Sequence, residues 1–189
     1  MIGKTNAVKQ GGGIDENTIY IGKYQMRLEN AFMSAYNAMR NAEVSLVIAD
    51  DAVIWNFQNA FRTAQPKSIT IHGSTASVTN FNSAFKENGG YFKEINGDGL
   101  DLTSATNVGG IFDYSDGLET VIFVPNTIGI SISFAGLSKL NDTTLASIVA
   151  GLKDMTGATS PTLTLHSTPK AKLTAEQIAT ITAKNWTLA

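Results

Sequence analysis

Residues 81–85 read Phe81-Asn82-Ser83-Ala84-Phe85, and the same spacing, a large apolar residue four positions before a phenylalanine, recurs along the chain. The other copies are Leu28-Glu29-Asn30-Ala31-Phe32, Phe57-Gln58-Asn59-Ala60-Phe61, Val108-Gly109-Gly110-Ile111-Phe112 and Ile130-Ser131-Ile132-Ser133-Phe134. The copies begin at residues 28, 57, 81, 108 and 130, so they are separated by 29, 24, 27 and 22 residues. Self-similarity at about 20–30 residues is typical of a solenoid, in which each unit buries its apolar face by stacking on its neighbours. The repeat therefore predicts a scaffold or binding surface rather than a catalytic cleft.

Short runs of strand-forming residues follow the helical or repeat segments. These runs are residues 43–48, 67–71, 99–102, 119–124 and 162–165. Four of them carry apolar residues two positions apart, namely Ile69 and Ile71, Leu100 and Leu102, Val121 and Phe123, and Leu163 and Leu165. Because side chains two apart on a strand share one face, each pair is expected to point into the core. Stacked in register, these strands predict a parallel sheet along one side of the coil.

The repeated segment itself allows two conformations. An apolar residue and a phenylalanine four positions later share one face of a helical turn. Gly109-Gly110 and Ile130-Ser131-Ile132 disfavour a regular helix, so those copies are interpreted as extended or irregular. In either case Phe61, Phe85 and Phe112 are expected in the core, since a large aromatic side chain at a repeated position is more often buried than a ligand contact.

The N-terminal part divides into two predicted segments. Residues 1–13 contain Gly11-Gly12-Gly13 and are expected to be a flexible lead-in. Residues 15–42 are predicted as a helix that ends near Asn41, because apolar residues recur there at three- and four-residue spacing. These residues are Met26, Leu28, Ala31, Phe32, Tyr36 and Met39. Residues 14–140 would then comprise this N-terminal helix and the repeats.

Residues 141–189 are predicted as a helical cap of the same domain. Asn141-Asp142 supplies capping side chains for a first helix, and Gly157 is placed to stop it. Thr174 followed by Gln177 fits a capping box for a second helix, which is expected to end near Asn185. Residues 186–188 can pair as a final strand. A solenoid needs such a cap because its last coil is otherwise exposed.

Composition excludes several classes of function. The 189 residues carry a net charge of −2 and only 16% are charged, so no basic surface for nucleic acid is expected. The absence of cysteine removes disulfides, thiol catalysis and thiolate metal sites. No apolar stretch is long enough for a signal peptide or a membrane helix, so neither an encoded export signal nor membrane insertion is expected.

No catalytic, cofactor-binding or metal-binding residues are predicted. His72 and His166 each follow a strand, but several coils would separate them and keep them from sharing a metal ion. The aspartates at 50, 51, 98, 101, 113 and 116 lack the spacing of a calcium loop. A hydrolase site built from two carboxylates stays open, because their separation cannot be read from sequence.

The repeats resemble the BspA-type leucine-rich repeats of bacterial surface proteins. The residues that carry this resemblance are Ile69-Thr70-Ile71, Phe81-Asn82-Ser83-Ala84-Phe85 and Leu100-Asp101-Leu102-Thr103. Residues 145–157, 163–166 and 173–188 resemble the C-terminus of repeat proteins in the tail modules of phages and prophages of Gram-positive bacteria, and residues 1–7 resemble their start. The resemblance implies an α/β fold, a short right-handed leucine-rich-repeat-like solenoid with parallel strands, an N-terminal helix and a helical C-terminal cap.

Three hypotheses for function follow. The first is a non-enzymatic minor structural component of a phage or prophage tail, located in the virion. The second is a bacterial cell-surface or extracellular repeat protein that mediates protein or host-surface contact, and the third is an enzyme. The partner is expected to be protein, and a homo-oligomer is left open. A hydrogen-bonding interaction face is predicted at outward strand positions, which are Ser68, Thr70, Asp101 and Thr164.

Overall fold

Parallel strands paired almost in chain order organise the molecule in a computed structural model that describes residues 17–22 and 26–189. The strands are β1 (Thr18–Ile21), β2 (Met26–Arg27), β3 (Glu43–Ile48), β4 (Ile54–Asn56), β5 (Ser68–His72), β6 (Glu94–Leu100), β7 (Thr120–Phe123), β8 (Ile132–Phe134), β9 (Thr162–Leu165) and β10 (Thr187–Leu188). The helices are α1 (Tyr36–Met39), α2 (Asp142–Gly151), α3 (Ser167–Lys170) and α4 (Ala175–Ala183). The predicted lead-in, residues 1–13, lies outside the described residues.

The main sheet contains five parallel strands in the order β1-β3-β5-β6-β7. Alternating burial along each strand follows from its alternating sequence, and Ile69, Ile71, Val121 and Phe123 all point into the core. This confirms the mixed α/β class and the parallel sheet. Strand β6 starts at Glu94, earlier than the predicted residue 99, and its register shifts between Ile95 and Leu100.

Glycine makes the irregular part of β6 feasible. Gly97 has a φ of +80°, and a Cβ added there would stand 2.2 Å from the carbonyl oxygen of Ile71 on the neighbouring strand. Asn96-Gly97-Asp98-Gly99, which has the composition of a turn, is therefore accommodated within a strand that passes very close to β5.

Four of the five repeat copies form what we call the turn segments, residues 28–34, 57–63, 81–87 and 108–114. Each closes a β-turn, because the fourth residue donates its N–H to the carbonyl of the first, as Ala84 does to Phe81 at 3.0 Å. The third residue of each copy has positive φ, and these residues are Asn30, Asn59, Ser83 and Gly110. Asn and Gly tolerate that conformation well, and it is incompatible with a helix. The helical reading of the segments is wrong, including for the copies without glycine.

Hydrogen bonds join the turn segments to one another in a ladder. Every second residue donates its N–H to the next segment, as Phe57 does to Asn80, Asn59 to Asn82 and Phe61 to Ala84, at 2.8 to 3.0 Å. The fifth copy departs from this pattern, because residues 132–134 form β8 and pair with β9 in a separate sheet of order β10-β9-β8.

The phenylalanines of all five copies stack in one column. The ring centroids lie 5.0 Å apart for Phe32 and Phe61, 5.8 Å for Phe61 and Phe85, 5.9 Å for Phe85 and Phe112, and 5.6 Å for Phe112 and Phe134. Each pair is nearly coplanar, at 9° to 22°. The predicted core positions of Phe61, Phe85 and Phe112 are confirmed.

The predicted N-terminal helix over residues 15–42 is wrong for the described part of that range. Residues 18–21 form β1, residues 26–27 form β2, and only residues 36–39 form a helix. Asn30 and Ser34 have φ of 56° and 59°, which interrupts any helix through them. The three- and four-residue spacing of apolar residues arises because a turn segment also places its first and fifth residues inward.

The C-terminal region follows the prediction more closely. Asn141 caps α2 by accepting the N–H of Thr144 at 2.9 Å, and Thr174 with Gln177 forms the capping box of α4. Residues 187–188 form the expected last strand. The end of α2 differs, because the helix stops at Gly151 rather than near Gly157. None of the described helices is both long and apolar enough to span a membrane.

Candidate interaction faces

The four residues of the predicted interaction face are not brought together. Ser68 and Thr70 lie on β5, Asp101 follows the end of β6, and Thr164 lies on β9 in the other sheet. Ser68 is 8% exposed and is therefore too buried to offer a contact surface. The prediction is wrong as a single face, although Thr70 does lie on the outer side of the main sheet.

Asp101 has a structural role at its position. Its carboxylate accepts the N–H of Thr103 at 2.9 Å, and its own N–H is bonded to the hydroxyl of Thr75 at 2.8 Å. The Thr75 hydroxyl in turn donates to the Asp101 carbonyl at 3.0 Å. These bonds hold the chain as it leaves β6. Thr164 pairs in register with Ser133 on β8.

The register of the main sheet instead places a different polar row beside Thr70. Thr18 pairs with Ser45, Ser45 with Thr70, and Thr70 with Asn96. We call these four residues the outer row. Three hydroxyls and one amide thus follow one another across neighbouring strands, at a spacing of about 4.8 Å per strand. The row can donate and accept hydrogen bonds along a rigid, flat surface.

Ion pairs border the outer row where the strands begin. Lys67 contacts Glu43, and the Lys93 ammonium lies 3.2 Å from the Glu119 carboxylate. The hydrogen bond between Lys67 and Glu43 raises the pKa of Lys67 and lowers the pKa of Glu43. Charge at this margin alternates in sign, so the margin favours neither a strongly acidic nor a strongly basic partner.

Exposed aromatic rings with cations beside them form a second surface feature. The guanidinium of Arg27 lies 4.8 Å from the Trp55 ring, and that of Arg40 lies 4.5 Å from the Tyr91 ring. The Lys86 ammonium lies 5.5 Å from the ring of Tyr114, which is 72% exposed. Sequence reasoning missed all three pairs. The partners are 28 or 51 residues apart, and the only signal is that 28 residues is close to the length of one repeat.

A shallow groove of about 480 Å³ lies beside Tyr114 and is also lined by Asp113, Asp116 and Gly136. It is the position at which the sequence offered and rejected carboxylates as calcium ligands. No group of three or more metal-ligating side chains occurs within residues 17–22 and 26–189. His166 caps α3 by accepting the N–H of Thr168 at 3.1 Å, and His72 ends a strand of the other sheet.

An asparagine precedes the apolar residue in three copies, and sequence reasoning did not recognise its role. Asn56, Asn80 and Asn107 pair in register with one another. Each accepts the N–H of the residue two positions later with its side-chain oxygen, at 2.9 to 3.0 Å. Six-residue motifs beginning with asparagine at 56, 80 and 107 were the available signal. These amides shape the turns and are largely used within the fold.

The chain matches no protein-family model, no curated protein and no solved structure.

Proposed function

We propose that this chain forms a short right-handed leucine-rich-repeat-like solenoid and acts as a non-enzymatic binding scaffold, as a minor structural component of a phage or prophage tail. The observation that carries the proposal is the column of five stacked phenylalanines, one from each copy. Stacked repeats make a stiff unit whose surface groups keep fixed spacings, which suits a part that holds other proteins in place.

The outer row is the proposed contact surface. Its hydroxyl and amide groups are half-buried within the sheet, so their positions are set by strand pairing rather than by side-chain freedom. A partner that binds there loses little side-chain entropy on the scaffold side. The polar character of the row fits a protein surface with complementary hydrogen-bonding groups.

The test is a mass-spectrometric inventory of purified phage particles from the strain that encodes the chain. The wild-type chain is expected in the particles, whereas Thr70→Arg with Asn96→Arg, which places two bulky cations on the outer row, is expected to be lost from them. The matched control is Thr143→Arg with Ala146→Arg, at exposed positions of α2. The control is expected to be incorporated like wild type.

Each result decides a separate point. Absence of the wild-type chain from particles would overturn the tail assignment, and recovery from the cell-surface fraction would favour the alternative of a bacterial surface protein. Normal incorporation of the outer-row variant would remove that face as the contact surface. Circular dichroism of each purified variant checks that the substitutions leave the fold intact.

A further inference from the structure

Helix α2 lies against the last strand of the main sheet and binds its edge with side chains. The N–H of Val121 donates to the Thr144 hydroxyl at 2.9 Å, and the N–H of Phe123 donates to the Ser147 hydroxyl at 2.8 Å. Residues three apart on a helix share one face, so α2 presents both hydroxyls to β7. They take the places at which the carbonyls of a further strand would accept these bonds.

The carbonyl side of the same edge is also occupied. The Glu119 carbonyl accepts both the Thr144 hydroxyl at 2.9 Å and the N–H of Asn141 at 3.0 Å. The Asn141 side-chain amide donates to the hydroxyl of Thr120 at 2.9 Å. Thr144 is fully buried at this contact. The edge strand is therefore saturated from Glu119 to Phe123 without any strand beside it.

A second contact holds the other end of α2. The ammonium of Lys184, at the end of α4, lies 2.5 Å from the Leu152 carbonyl and 3.3 Å from the Val149 carbonyl. These are C-terminal carbonyls of α2, where a cation is favoured by the helix dipole. Burial lowers the pKa of Lys184, which reflects how closely it is enclosed at this junction.

The opposite edge of the main sheet differs. Within the described residues β1 pairs only with β3, and the carbonyls of Asn17 and Ile21 accept N–H groups from that strand. Since backbone groups of alternate residues point to opposite sides of a strand, those of Thr18 and Tyr20 point outward. An outward β1 edge and an open β7 edge would be complementary, because a second copy could continue the parallel sheet from one to the other.

We propose that α2 is a built-in stop, which saturates the β7 edge and so prevents the β1 edge of a second copy from pairing with it. A head-to-tail contact of this kind does not close on itself and would produce filaments. Blocking one of the two edges is sufficient to keep the molecules separate.

The test removes both hydroxyls in Thr144→Val with Ser147→Val. Hydrogen exchange at the amides of Val121 and Phe123 is expected to accelerate roughly tenfold or more, because each N–H loses its acceptor, while the amides of Ile69 and Ile71 change little. Concentration-dependent assemblies are expected by light scattering and electron microscopy. Thr143→Val with Ala146→Val, which adds two valines on the exposed face of α2, is expected to behave like wild type.

Further variants separate edge pairing from general instability. Thr144→Ser with Ser147→Thr keeps both hydroxyls and should not assemble. Lys184→Met, which releases the C-terminal end of α2, should accelerate exchange in β7 by an independent route. Adding Tyr20→Pro to the double-valine variant should abolish assembly, because proline removes an outward N–H of β1.

Three outcomes would overturn the proposal. A uniform rise of exchange in β5 and β7 would make α2 an ordinary core helix, and local opening of β7 without assembly would show that the edge is not a template. Assemblies that persist with Tyr20→Pro would be non-specific aggregates.

Discussion

Asn88 is fully buried, and its side chain joins three segments of backbone. Its amide oxygen accepts the N–H of Gln65 at 2.7 Å, and its amide nitrogen donates to the carbonyls of Phe61 at 3.1 Å and Phe85 at 2.8 Å. Its own backbone N–H donates to the Ser115 hydroxyl at 3.1 Å. One residue thus satisfies polar groups that the turn segments leave inside the core.

Asn88→Ala is expected to destabilise the protein by about 3 kcal/mol or more, because three buried backbone groups lose their partner at roughly 1–3 kcal/mol each. Asn88→Asp should be similarly damaging, since a carboxylate cannot donate to the two carbonyls. Urea denaturation followed by circular dichroism measures both. Asn37→Ala, at an exposed position of α1, serves as control. A loss no greater than that of the control would contradict the role assigned to Asn88.

Residue-level patterns were only partly readable from the sequence. The inward pairs such as Ile69 and Ile71 follow from strand alternation alone, and they are buried as predicted. The role of Asn88 could not be predicted, because its partners are carbonyls 3 and 27 residues away and their need appears only once the segments stack. The left-handed positions were equally hidden, since Ser83 and Glu87 are unusual residues for positive φ.

At the scale of elements, an ion pair joins the second and third turn segments. Arg62 contacts Glu87 through two parallel bonds, Nε to Oε2 at 2.9 Å and Nη2 to Oε1 at 2.8 Å. The Arg62 hydrogen bond lowers the pKa of Glu87 below its ordinary value of 4.5. Both side chains are about one-third exposed, so water and salt weaken the attraction.

The sign of the pH effect follows from this lowered pKa. The ion pair stabilises the fold fully above pH 4.5, the ordinary value for Glu87, and its contribution is lost as the pH falls through the lower folded-state pKa. Glu87→Gln is therefore expected to lower the urea midpoint at pH 7 and to converge with wild type in acid. Asp50→Asn, an exposed turn position, is the control. A difference between Glu87→Gln and wild type that stayed constant from pH 7 into acid would argue against the pair.

The elements that sequence predicted well are those decided locally. Residues 162–165 form β9 and residues 43–48 form β3 as predicted, because each is a short run of alternating apolar residues. Membership of a sheet is not local. Thr70 and Thr164 occupy equivalent outward positions in similar strands, yet α2 intervenes at β7 and the later strands form another sheet. The predicted interaction face failed for that reason.

At the scale of the whole molecule, the phenylalanine column distinguishes central from terminal repeats. Phe85 lies at the centre of the column and contacts the rings of Phe57, Phe61, Phe92 and Phe112 at centroid distances of 5.8 to 6.4 Å. Phe32 lies at the end of the column, is only partly buried, and stacks on Phe61 alone. In a stacked repeat protein each unit is stabilised mainly by its neighbours, so a central unit depends on two interfaces and a terminal unit on one.

Phe85→Ala is accordingly expected to cost about 3–5 kcal/mol, which is a large part of the roughly 5–15 kcal/mol that a domain commonly has. Phe32→Ala should cost clearly less, about 1–2 kcal/mol, because the cavity opens to solvent and only one ring contact is lost. Urea denaturation gives both values, and Phe85→Leu should recover part of the loss by refilling the site. Equal losses for the two alanine variants would mean that the rings are ordinary core residues, and that the stacked column does not distribute stability along the molecule.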